Sequence, residues 1–209
     1  MKIVVTGSSG GIGSEISKYL KSKSIELIEL NSDIIDFSED FELDVNDVSG
    51  LVHCAGINKI NSYTDTSDND LINIINVNTI SFIRLCKKIN FNLNSNIIAI
   101  GSLYASETKT GRLAYTISKH GLYGAVKTLA IEMSEKKCAV NMVSPGFVDT
   151  QLTRKNNSFE RINELERNIP LGLTDAKEIA KICSYLLLEN KSITGQNIIV
   201  DGGYSLIGI

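Results

Sequence analysis

The sequence contains little of several residue types, and each shortage argues against a class of protein. Its 209 residues include no tryptophan, two prolines, two histidines and four cysteines. The cysteines are widely spaced without a Cys-x-x-Cys pair, and neither histidine has a partner at metal-ligand spacing. We therefore predict buried, reduced thiols and no metal site. No apolar run reaches the roughly 18–20 residues that a membrane span requires, so we expect no transmembrane segment.

Charge of one sign is not concentrated anywhere in the chain. The net charge is −3, with 22% charged and 43% hydrophobic residues, as in ordinary globular proteins. The scattered lysines and arginines predict neither a nucleic-acid-binding tract nor a membrane-surface helix. Because Met1 leads directly into an apolar strand, we expect no signal peptide and a cytoplasmic location. The length suits one domain over residues 1–209.

Apolar periodicity predicts strands and helices that alternate along the chain. The predicted strands are 2–6, 25–30, 34–37, 49–54, 96–101, 138–143 and 197–200, and the predicted helices are 11–22, 68–89, 113–134 and 175–189. This alternation favours a parallel sheet that helices cover on both faces. The predicted fold is therefore α/β, a three-layer doubly wound parallel sheet of the Rossmann type.

A glycine-rich turn joins the first predicted strand to the first helix. Residues 6–13 read Thr-Gly-Ser-Ser-Gly-Gly-Ile-Gly. Gly7 permits a sharp turn, Gly11 lets a pyrophosphate approach the backbone, and Gly13 lets the helix pack close to the strand. The free amides at the helix N-terminus favour phosphate, so the turn predicts a dinucleotide site. The alternative is a flexible connection without a ligand.

Four polar residues can be interpreted as proton-transfer machinery: Asn78, Ser102, Tyr115 and Lys119. Tyr115 and Lys119 are four residues apart and would share one face of a helix. A nearby ammonium favours the phenolate, so we expect Lys119 to lower the phenol pKa from its usual value near 10. Ser102 follows the apolar run 97–100, and its hydroxyl could hydrogen-bond a substrate carbonyl. Taken alone, Tyr-x-x-x-Lys also fits an exposed helix face.

These stretches together resemble the short-chain dehydrogenase/reductase family, in particular its single-domain, ketoreductase-like members. The matching segments are residues 6–13, 54–56, 77–78, 102, 115–119, 145–150, 193–196 and 200–203. The resemblance covers essentially the whole chain. One position departs from the pattern, because Cys54 replaces the usual Asn of the family's Asn-Ala-Gly motif.

The resemblance implies a role for each matching residue. The catalytic residues would be Asn78, Ser102, Tyr115 and Lys119. The cofactor would contact Gly7, Ser9, Gly10, Gly11, Ile12, Asn31, Asp36, Cys54, Ala55, Gly56, Tyr115, Lys119, Pro145, Gly146, Val148 and Thr150. Tyr115 would protonate the carbonyl oxygen of the substrate while Ser102 hydrogen-bonds it. Lys119 would bond the nicotinamide ribose, and Asn78 would hold a water that links Lys119 to solvent.

The chain departs from the family pattern between residues 30 and 50. Residues 31–33 alone separate the second predicted strand from the third, whereas a parallel crossover normally needs a dozen or more residues. We therefore predict that the crossover helix between strands 2 and 3 is missing. Asp36 resembles the family's adenine-binding Asp. Asp44 is the alternative, but it would leave almost no chain for the next crossover.

The nucleotide is predicted from the end of the second strand. An acid there usually binds the ribose 2′-hydroxyl, and a base binds a 2′-phosphate. Asn31 and Ser32 could bond either form, no Lys or Arg lies nearby, and Asp33 would repel a phosphate. The expected cofactor is NAD or NADP, with a preference for NAD.

The substrate is predicted as a class, a small-molecule carbonyl or secondary alcohol. By resemblance, its pocket would be lined by residues 57–59 and 103–105 and by a mobile stretch, 151–170. Positive charge near the mouth, from Arg112, Arg154 and Lys155, permits an anionic substrate such as a nucleotide-linked sugar or an acyl-carrier ketone.

The last two predictions concern activity and association. The presence of both Tyr115 and Lys119 argues against the alternative function, a catalytically silent cofactor-binding sensor or scaffold. Helix 113–134 carries Leu122, Val126 and Leu129, and members of the family pair through this helix, so we expect a homodimer or homotetramer.

Overall fold

The computed structural model describes residues 1–155 and 157–207. Within them, six parallel strands form one sheet in the order β2-β1-β3-β4-β5-β6. The strands are β1 Lys2–Thr6, β2 Glu26–Leu30, β3 Val45–His53, β4 Ile89–Ile100, β5 Ala139–Pro145 and β6 Asn197–Val200. The helices are α1 Gly11–Ser22, α2 Asp68–Ile75, α3 Ser81–Lys88, α4 Leu113–Glu132, α5 Gln151–Lys155, α6 Phe159–Asn168 and α7 Ala176–Leu188. The predicted doubly wound α/β fold is confirmed.

The connection from β2 to β3 differs from the prediction in one element. Residues 31–44 contain no helix, as expected, but the strand predicted at 34–37 is wrong. The carbonyl oxygen of Asn31 accepts the amides of Ile34 and Ile35 at 3.1 and 3.0 Å, which turns the chain. In the doubly wound order 3-2-1-4-5-6, a further strand pairs outside strand 2, whereas the sheet of the described residues ends at β2 on this side.

The same segment is fixed against the helices that follow it. Phe37 is buried in the core. The side chain of Asn76 donates to the carbonyl oxygen of Ser38 at 2.9 Å, and Arg84 donates to that of Glu39 at 2.6 Å. Residues 31–44, which we call the strap, are held by these contacts and cover the edge of the core.

The helix predicted at 68–89 is interrupted in its middle. Ser67 caps α2 by accepting the amide of Asp70 at 3.1 Å, as the sequence predicts. Residues Asn76–Ile80 then form a π-helical turn before α3 begins. Such turns are rare and frequently lie at functional sites. This one carries the buried Asn78.

The core lies on both faces of the sheet, because alternate side chains of β1 point to opposite sides. Val4 belongs to the cluster that contains Leu122 and Val126 of α4, whereas Ile3 packs with α1 and α7. Leu122 and Val126 are 0% exposed. The prediction that they face a partner subunit is therefore wrong, and Leu129 also packs against this core.

The stretch predicted to be a mobile lid, 151–170, forms helices α5 and α6. Ser158 caps α6 by accepting the amide of Arg161 at 3.2 Å. Ile162 and Leu165 anchor the helix by burial, while Phe159 is 74% exposed.

The cysteines are free thiols, of which Cys138 and Cys183 are buried and Cys54 and Cys86 partly buried. Burial raises the pKa of each thiol. In residues 1–155 and 157–207, no group of three or more His, Cys, Asp or Glu could hold a metal ion. Among the same residues, no helix combines the length and the apolar character that crossing a bilayer requires.

Candidate active site

The glycine turn between β1 and α1 brings the backbone close to the end of β3. Gly7 has a φ of +63°, and a Cβ there would lie 2.7 Å from the amide nitrogen of Ala55. A Cβ on Gly13 would overlap the carbonyl oxygen of Gly7. A Cβ on Gly11 would lie 2.8 Å from the Cγ2 atom of Thr150. Gly7 and Gly13 could therefore be replaced only by moving the backbone.

The N-terminus of α1 presents unpaired amides at this turn. Gly10 is the N-cap residue and provides no side-chain cap, and the first turn of α1 contains no acidic residue. The helix dipole and the free amides favour an anion at this point. A turn too tight for side chains, next to an open helix N-terminus, fits the pyrophosphate of a dinucleotide.

The sequence did not predict the buried network that begins at Thr6, just before the turn. The Oγ1 atom of Thr6 accepts the amides of Cys54 and Ala55, both at 3.1 Å. It also lies 3.0 Å from Nδ1 of the buried His53. Thr6 therefore fixes the chain immediately after β3, next to the glycine turn.

His53 extends this network to the π-helical turn. Its Nε2 lies 3.3 Å from the Oγ atom of Ser81, which itself donates to the carbonyl oxygen of Val77 at 2.6 Å. Because the Ser81 proton is already used, the consistent tautomer of His53 donates from Nε2 and accepts from Thr6 at Nδ1. Burial, aided by the nearby charge of Lys119, lowers the pKa of His53 to about 3, so the ring is neutral. In the sequence, this network is indicated by His53, a polar residue at the end of an apolar strand.

Lys119 places a buried ammonium beside the end of β4. Its side chain extends from α4, and its Nζ atom donates to the carbonyl oxygen of Ile100 at 2.8 Å. The residue is 4% exposed. Burial lowers the pKa of Lys119 to about 8. The Nζ atom lies 5.6 Å from the centroid of the Tyr115 ring. The two side chains therefore share one face of α4, as their spacing predicts.

The pKa of Tyr115 differs from the prediction. Burial raises it above the usual phenol value, and this effect outweighs a hydrogen bond with Ser102 and the charge of Arg112, which both lower it. The expected lowering by Lys119 is therefore not found. The ammonium of Lys119 lies beside the ring and is bonded to the carbonyl of Ile100, which explains why the phenol is not rendered acidic.

Ser102 lies just after β4, as predicted from the apolar run that precedes it. Its Oγ atom accepts the amide of Tyr104 at 3.3 Å and caps a short 3₁₀ turn over Leu103–Ala105. The same hydroxyl forms the hydrogen bond with Tyr115. Ser102 thus brings a second hydroxyl to the phenol.

Asn78 is fully buried in the π-helical turn, and its amide group is bonded at both ends. Its Oδ1 atom accepts the amide of Ile57 at 2.8 Å, and its Nδ2 atom donates to the carbonyl oxygen of Ile57 at 3.0 Å. The Nδ2 atom also donates to Ser118 at 2.9 Å. Asn78 therefore fixes the backbone that follows β3 and ties it to the helix carrying Tyr115 and Lys119.

The three catalytic candidates Ser102, Tyr115 and Lys119 line one cleft of about 460 Å³ together with the glycine turn; we call it the main cleft. Of the predicted cofactor contacts, it is also lined by Gly7, Gly10, Gly11, Ile12, Cys54, Gly56, Pro145, Gly146, Val148 and Thr150. The sequence therefore predicted most of its wall. Ile100, Gly101 and Thr153 also line it and were missed.

A second cavity of about 520 Å³, the side pocket, adjoins the other side of the glycine turn. It is lined by three further predicted cofactor contacts, Ser9, Asp36 and Ala55, and also by Ser32, Ile35, Phe37, Ser38, Asn73 and Val77. Asp36 accepts both the amide and the hydroxyl of Ser38, at 2.9 and 2.6 Å, and these bonds lower its pKa.

The positions of Asp44 and Asn31 bear on their predicted contacts with the cofactor. Asp44 precedes β3, at the edge of the sheet opposite the carboxyl strand ends, and accepts a bond from Asn46 at 2.8 Å. Asn31 turns its Oδ1 atom towards the amide of Asp33, at 3.0 Å, and lines neither the main cleft nor the side pocket. The geometry therefore favours Asp36 over Asp44 and does not bring Asn31 into the cleft.

Comparisons with known proteins agree with this geometry. The profile of the family described as Enoyl-(Acyl carrier protein) reductase matches residues 11–205. This chain belongs to the short-chain dehydrogenase/reductase family. A relative, the 3-oxoacyl-[acyl-carrier-protein] reductase of Homo sapiens, is 30% identical over 97% of this chain and 97% of that protein.

Solved structures resemble this short-chain dehydrogenase/reductase over nearly their full length. A short chain dehydrogenase family protein from Francisella tularensis has a TM-score of 0.86 at 26% identity, covering 98% of both chains. A 4-hydroxyisoleucine dehydrogenase complexed with NADH has a TM-score of 0.83 at 25% identity, again covering 98% of both. The chain is an NAD(P)-dependent oxidoreductase, and the family predicted from its motifs is confirmed.

The short-chain dehydrogenase/reductase has a further cavity of about 440 Å³, which we call the outer cavity. Ser102, Pro145 and Gly146 line both this cavity and the main cleft, so the two meet at Ser102. The remaining wall consists of Leu103, Tyr104, Glu107, Thr108, Lys109, Phe147, Tyr204 and Ser205. The outer cavity is therefore the candidate substrate site.

The predicted substrate-lining segments are found only in part. Leu103 and Tyr104 line the outer cavity, while Ala105 is buried. Residues 57 and 58 line the main cleft instead, and Lys59 forms an ion pair with Asp70 at 2.8 Å. The rings of Phe147 and Tyr204, with centroids 5.1 Å apart, were not predicted. They come from segments after β5 and β6, whose meeting depends on strand order and is not visible in a local motif.

Proposed function

We propose that this enzyme transfers a hydride between NAD(P) and a carbonyl or secondary alcohol, with Tyr115 as general acid and base. The observation that carries the proposal is that Ser102, Tyr115 and Lys119 line the same cleft as the glycine turn. A bound nicotinamide would supply the hydride chemistry. The protein would supply orientation, hydrogen bonds and the proton.

In the direction of reduction, Tyr115 would give its proton to the carbonyl oxygen of the substrate. Its raised pKa keeps the hydroxyl protonated at neutral pH, so the proton is present for a reduction. Ser102, already hydrogen-bonded to Tyr115, would donate to the same substrate oxygen as negative charge develops.

Lys119 would act on the cofactor. With a pKa of about 8, it carries its charge at neutral pH despite its burial. By resemblance to the family, it would bond the nicotinamide ribose.

Asn78 would have a positioning role. Both hydrogens of the Asn78 Nδ2 atom are donated, to Ile57 and Ser118, and its Oδ1 atom accepts the amide of Ile57, so the side chain has no free proton to pass on. We therefore propose that Asn78 fixes the backbone beside Lys119, instead of relaying a proton through its side chain.

The cofactor would occupy the main cleft and the side pocket, with the phosphates at the glycine turn and Asp36 on the adenine. We propose NAD in preference to NADP. Asp36 lies in the side pocket, and no Lys or Arg is among the described residues that line it. The 4-hydroxyisoleucine dehydrogenase that resembles this chain is complexed with NADH, which supports the same choice.

A 3-oxoacyl group on a carrier is the second candidate substrate. The human relative that shares 30% of its residues over 97% of both chains is a 3-oxoacyl-[acyl-carrier-protein] reductase. A neutral 3-oxoacyl thioester, such as the N-acetylcysteamine derivative of 3-oxobutanoate, would test this possibility alongside simple ketones.

Three further proposals concern the protein as a whole. We propose that residues 1–209 act as one dinucleotide-binding oxidoreductase domain in the cytoplasm, where the free thiols stay reduced. We also propose a homodimer or homotetramer. Leu113 and Ile117 expose 45% and 44% of their surface on α4 and are better candidates for a subunit contact than Leu122 or Val126.

Replacing Tyr115 by phenylalanine tests the proposed chemistry. Tyr115→Phe should bind NADH or NADPH as the wild type does, since the phenol hydroxyl is not needed to shape the cleft, but should lose nearly all turnover. Cofactor binding is measured by fluorescence titration, and turnover by the loss of absorbance at the nicotinamide band with a panel of ketones. Turnover that survives in Tyr115→Phe would refute the proposal.

A further inference from the structure

Arg112 carries a positive charge next to Tyr104, a residue of the outer cavity wall. Three other arginines form ion pairs: Arg84 with Asp40, Arg154 with Asp149, and Arg161 with Glu164. Arg154 was expected to offer free positive charge at the substrate mouth, and this pairing neutralises it. None of the ion pairs within residues 1–155 and 157–207 includes Arg112.

The Tyr104 ring lies between the guanidinium of Arg112 and the ring of Tyr115 and contacts both. The guanidinium carbon of Arg112 lies 5.8 Å from the centroid of the Tyr104 ring. The Tyr104 ring in turn lies 5.9 Å from the Tyr115 ring, in an edge-to-face arrangement. Tyr104 lines the outer cavity. Arg112 also lowers the pKa of both phenols, so its field reaches the hydroxyl groups.

The charges on the wall of the outer cavity leave Arg112 uncompensated. Lys109 and Glu107 both line the cavity and carry opposite charges. Arg112 is partly buried, and its guanidinium lies against the Tyr104 ring. The planar fork of a guanidinium matches a carboxylate with two parallel hydrogen bonds. Arg112 could therefore bind a carboxylate that reaches it past Tyr104 from the outer cavity.

We propose that Arg112 binds a carboxylate of the substrate, so that the enzyme acts on small oxo acids and hydroxy acids. This inference rests on the proposed function, because the carbonyl group of the same molecule must reach Ser102 and Tyr115. In the reduction, the carbonyl carbon gains a hydride from NAD(P)H and its oxygen gains the proton of Tyr115. The products are a hydroxy acid and NAD(P)⁺, and the carboxylate is unchanged.

The test compares acids with their neutral esters. Wild-type enzyme saturated with NAD⁺ or NADP⁺, which cannot reduce a ketone, is titrated in a calorimeter with 2-oxobutanoate, 3-oxobutanoate and 4-oxopentanoate and with the methyl ester of each. A charge-assisted pair is expected to make the best acid bind about tenfold to a hundredfold more tightly than its ester. Arg112→Gln should remove this difference and leave ester binding unchanged. Lys191→Gln should retain the difference between acid and ester. This control removes an exposed charge at the opposite end of the strands.

Three results would overturn the inference: equal binding of acid and ester by the wild type, no binding of any of the acids, or an equal loss of acid and ester binding in Arg112→Gln. The last result would limit Arg112 to supporting Tyr104. Cofactor oxidation with the same probes separates this inference from the proposed function. Reduction of the esters without a preference for acids refutes the carboxylate site alone, whereas tight acid binding without oxidation in any mixture refutes the proposed chemistry.

Discussion

Replacing Lys119 by methionine should remove a destabilising charge from the interior of the folded protein. Burial lowers the pKa of Lys119 from 10.5 to about 8. At about 1.4 kcal/mol for each pKa unit, holding the ammonium in this site costs the folded state about 3 kcal/mol at neutral pH. Lys119→Met leaves the carbonyl oxygen of Ile100 without its 2.8 Å partner, which costs about 1–3 kcal/mol. At pH 7 the variant should therefore be as stable as the wild type or slightly more stable.

The dependence of this difference on pH is the sharper measurement. Between about pH 8 and 10.5, the unfolded chain keeps the Lys119 proton that the folded chain has lost, so wild-type stability rises with pH through this window. The advantage of Lys119→Met should accordingly fall by about 2 kcal/mol between roughly pH 7.5 and 9.5. Other titrating groups are common to both proteins and largely cancel in the difference.

Urea unfolding of the cofactor-free proteins at several pH values measures both free energies. Lys191→Met serves as the control, because Lys191 is exposed and its removal takes no buried charge out of the folded protein. If the difference between Lys119→Met and the wild type is constant, Lys119 is not desolvated in the folded protein. The account of its pKa would then be wrong.

Further predictions concern the glycine turn and the buried histidine. Gly13→Ala should lower the free energy of unfolding by about 3 kcal/mol, because the new Cβ meets the carbonyl oxygen of Gly7, whereas Gly11→Ala meets only the side chain of Thr150 and should cost about 1 kcal/mol. Equal losses in urea titrations of the two variants would contradict this reasoning. As the pH falls from about 6.5 towards 3, the wild type should lose about 1.4 kcal/mol per pH unit relative to His53→Leu, since the unfolded chain protonates His53 first. Parallel acid-unfolding curves would show that the folded ring is not held neutral.

Much of the active site could be predicted because it depends on local order along the chain. A strand, a glycine turn and a helix in sequence determine where Gly7 and Gly13 lie. A spacing of four residues on a helix likewise determines that Tyr115 and Lys119 share a face. The missing crossover helix was predicted for the same reason, since the available chain was too short to form one.

The errors arose where tertiary contacts decide the outcome. Ile34 and Ile35 are an apolar pair typical of a strand, but hydrogen bonds to Asn31 turn the chain and leave Ile34 62% exposed. Apolar periodicity cannot distinguish a π-helical turn from an α-helix, so the backbone around Asn78 was not foreseen. The pKa of Tyr115 was predicted from spacing alone, and it depends on burial and on which atom the ammonium of Lys119 faces.

The loss of an edge strand leaves the catalytic part of the fold intact for a physical reason. The walls of the main cleft come from the carboxyl ends of β1, β3, β4 and β5, which are neighbours in the interior of the sheet. The missing strand would have paired outside β2, so its loss affects only the side pocket. There Phe37 fills the exposed edge of the core, with its ring 6.3 Å from that of His53. Phe37 therefore contacts His53, which belongs to the hydrogen-bond network next to the glycine turn. It follows that the strap at 31–44 can influence the side pocket, where we propose that the adenine binds, while the positions of Ser102, Tyr115 and Lys119 stay fixed.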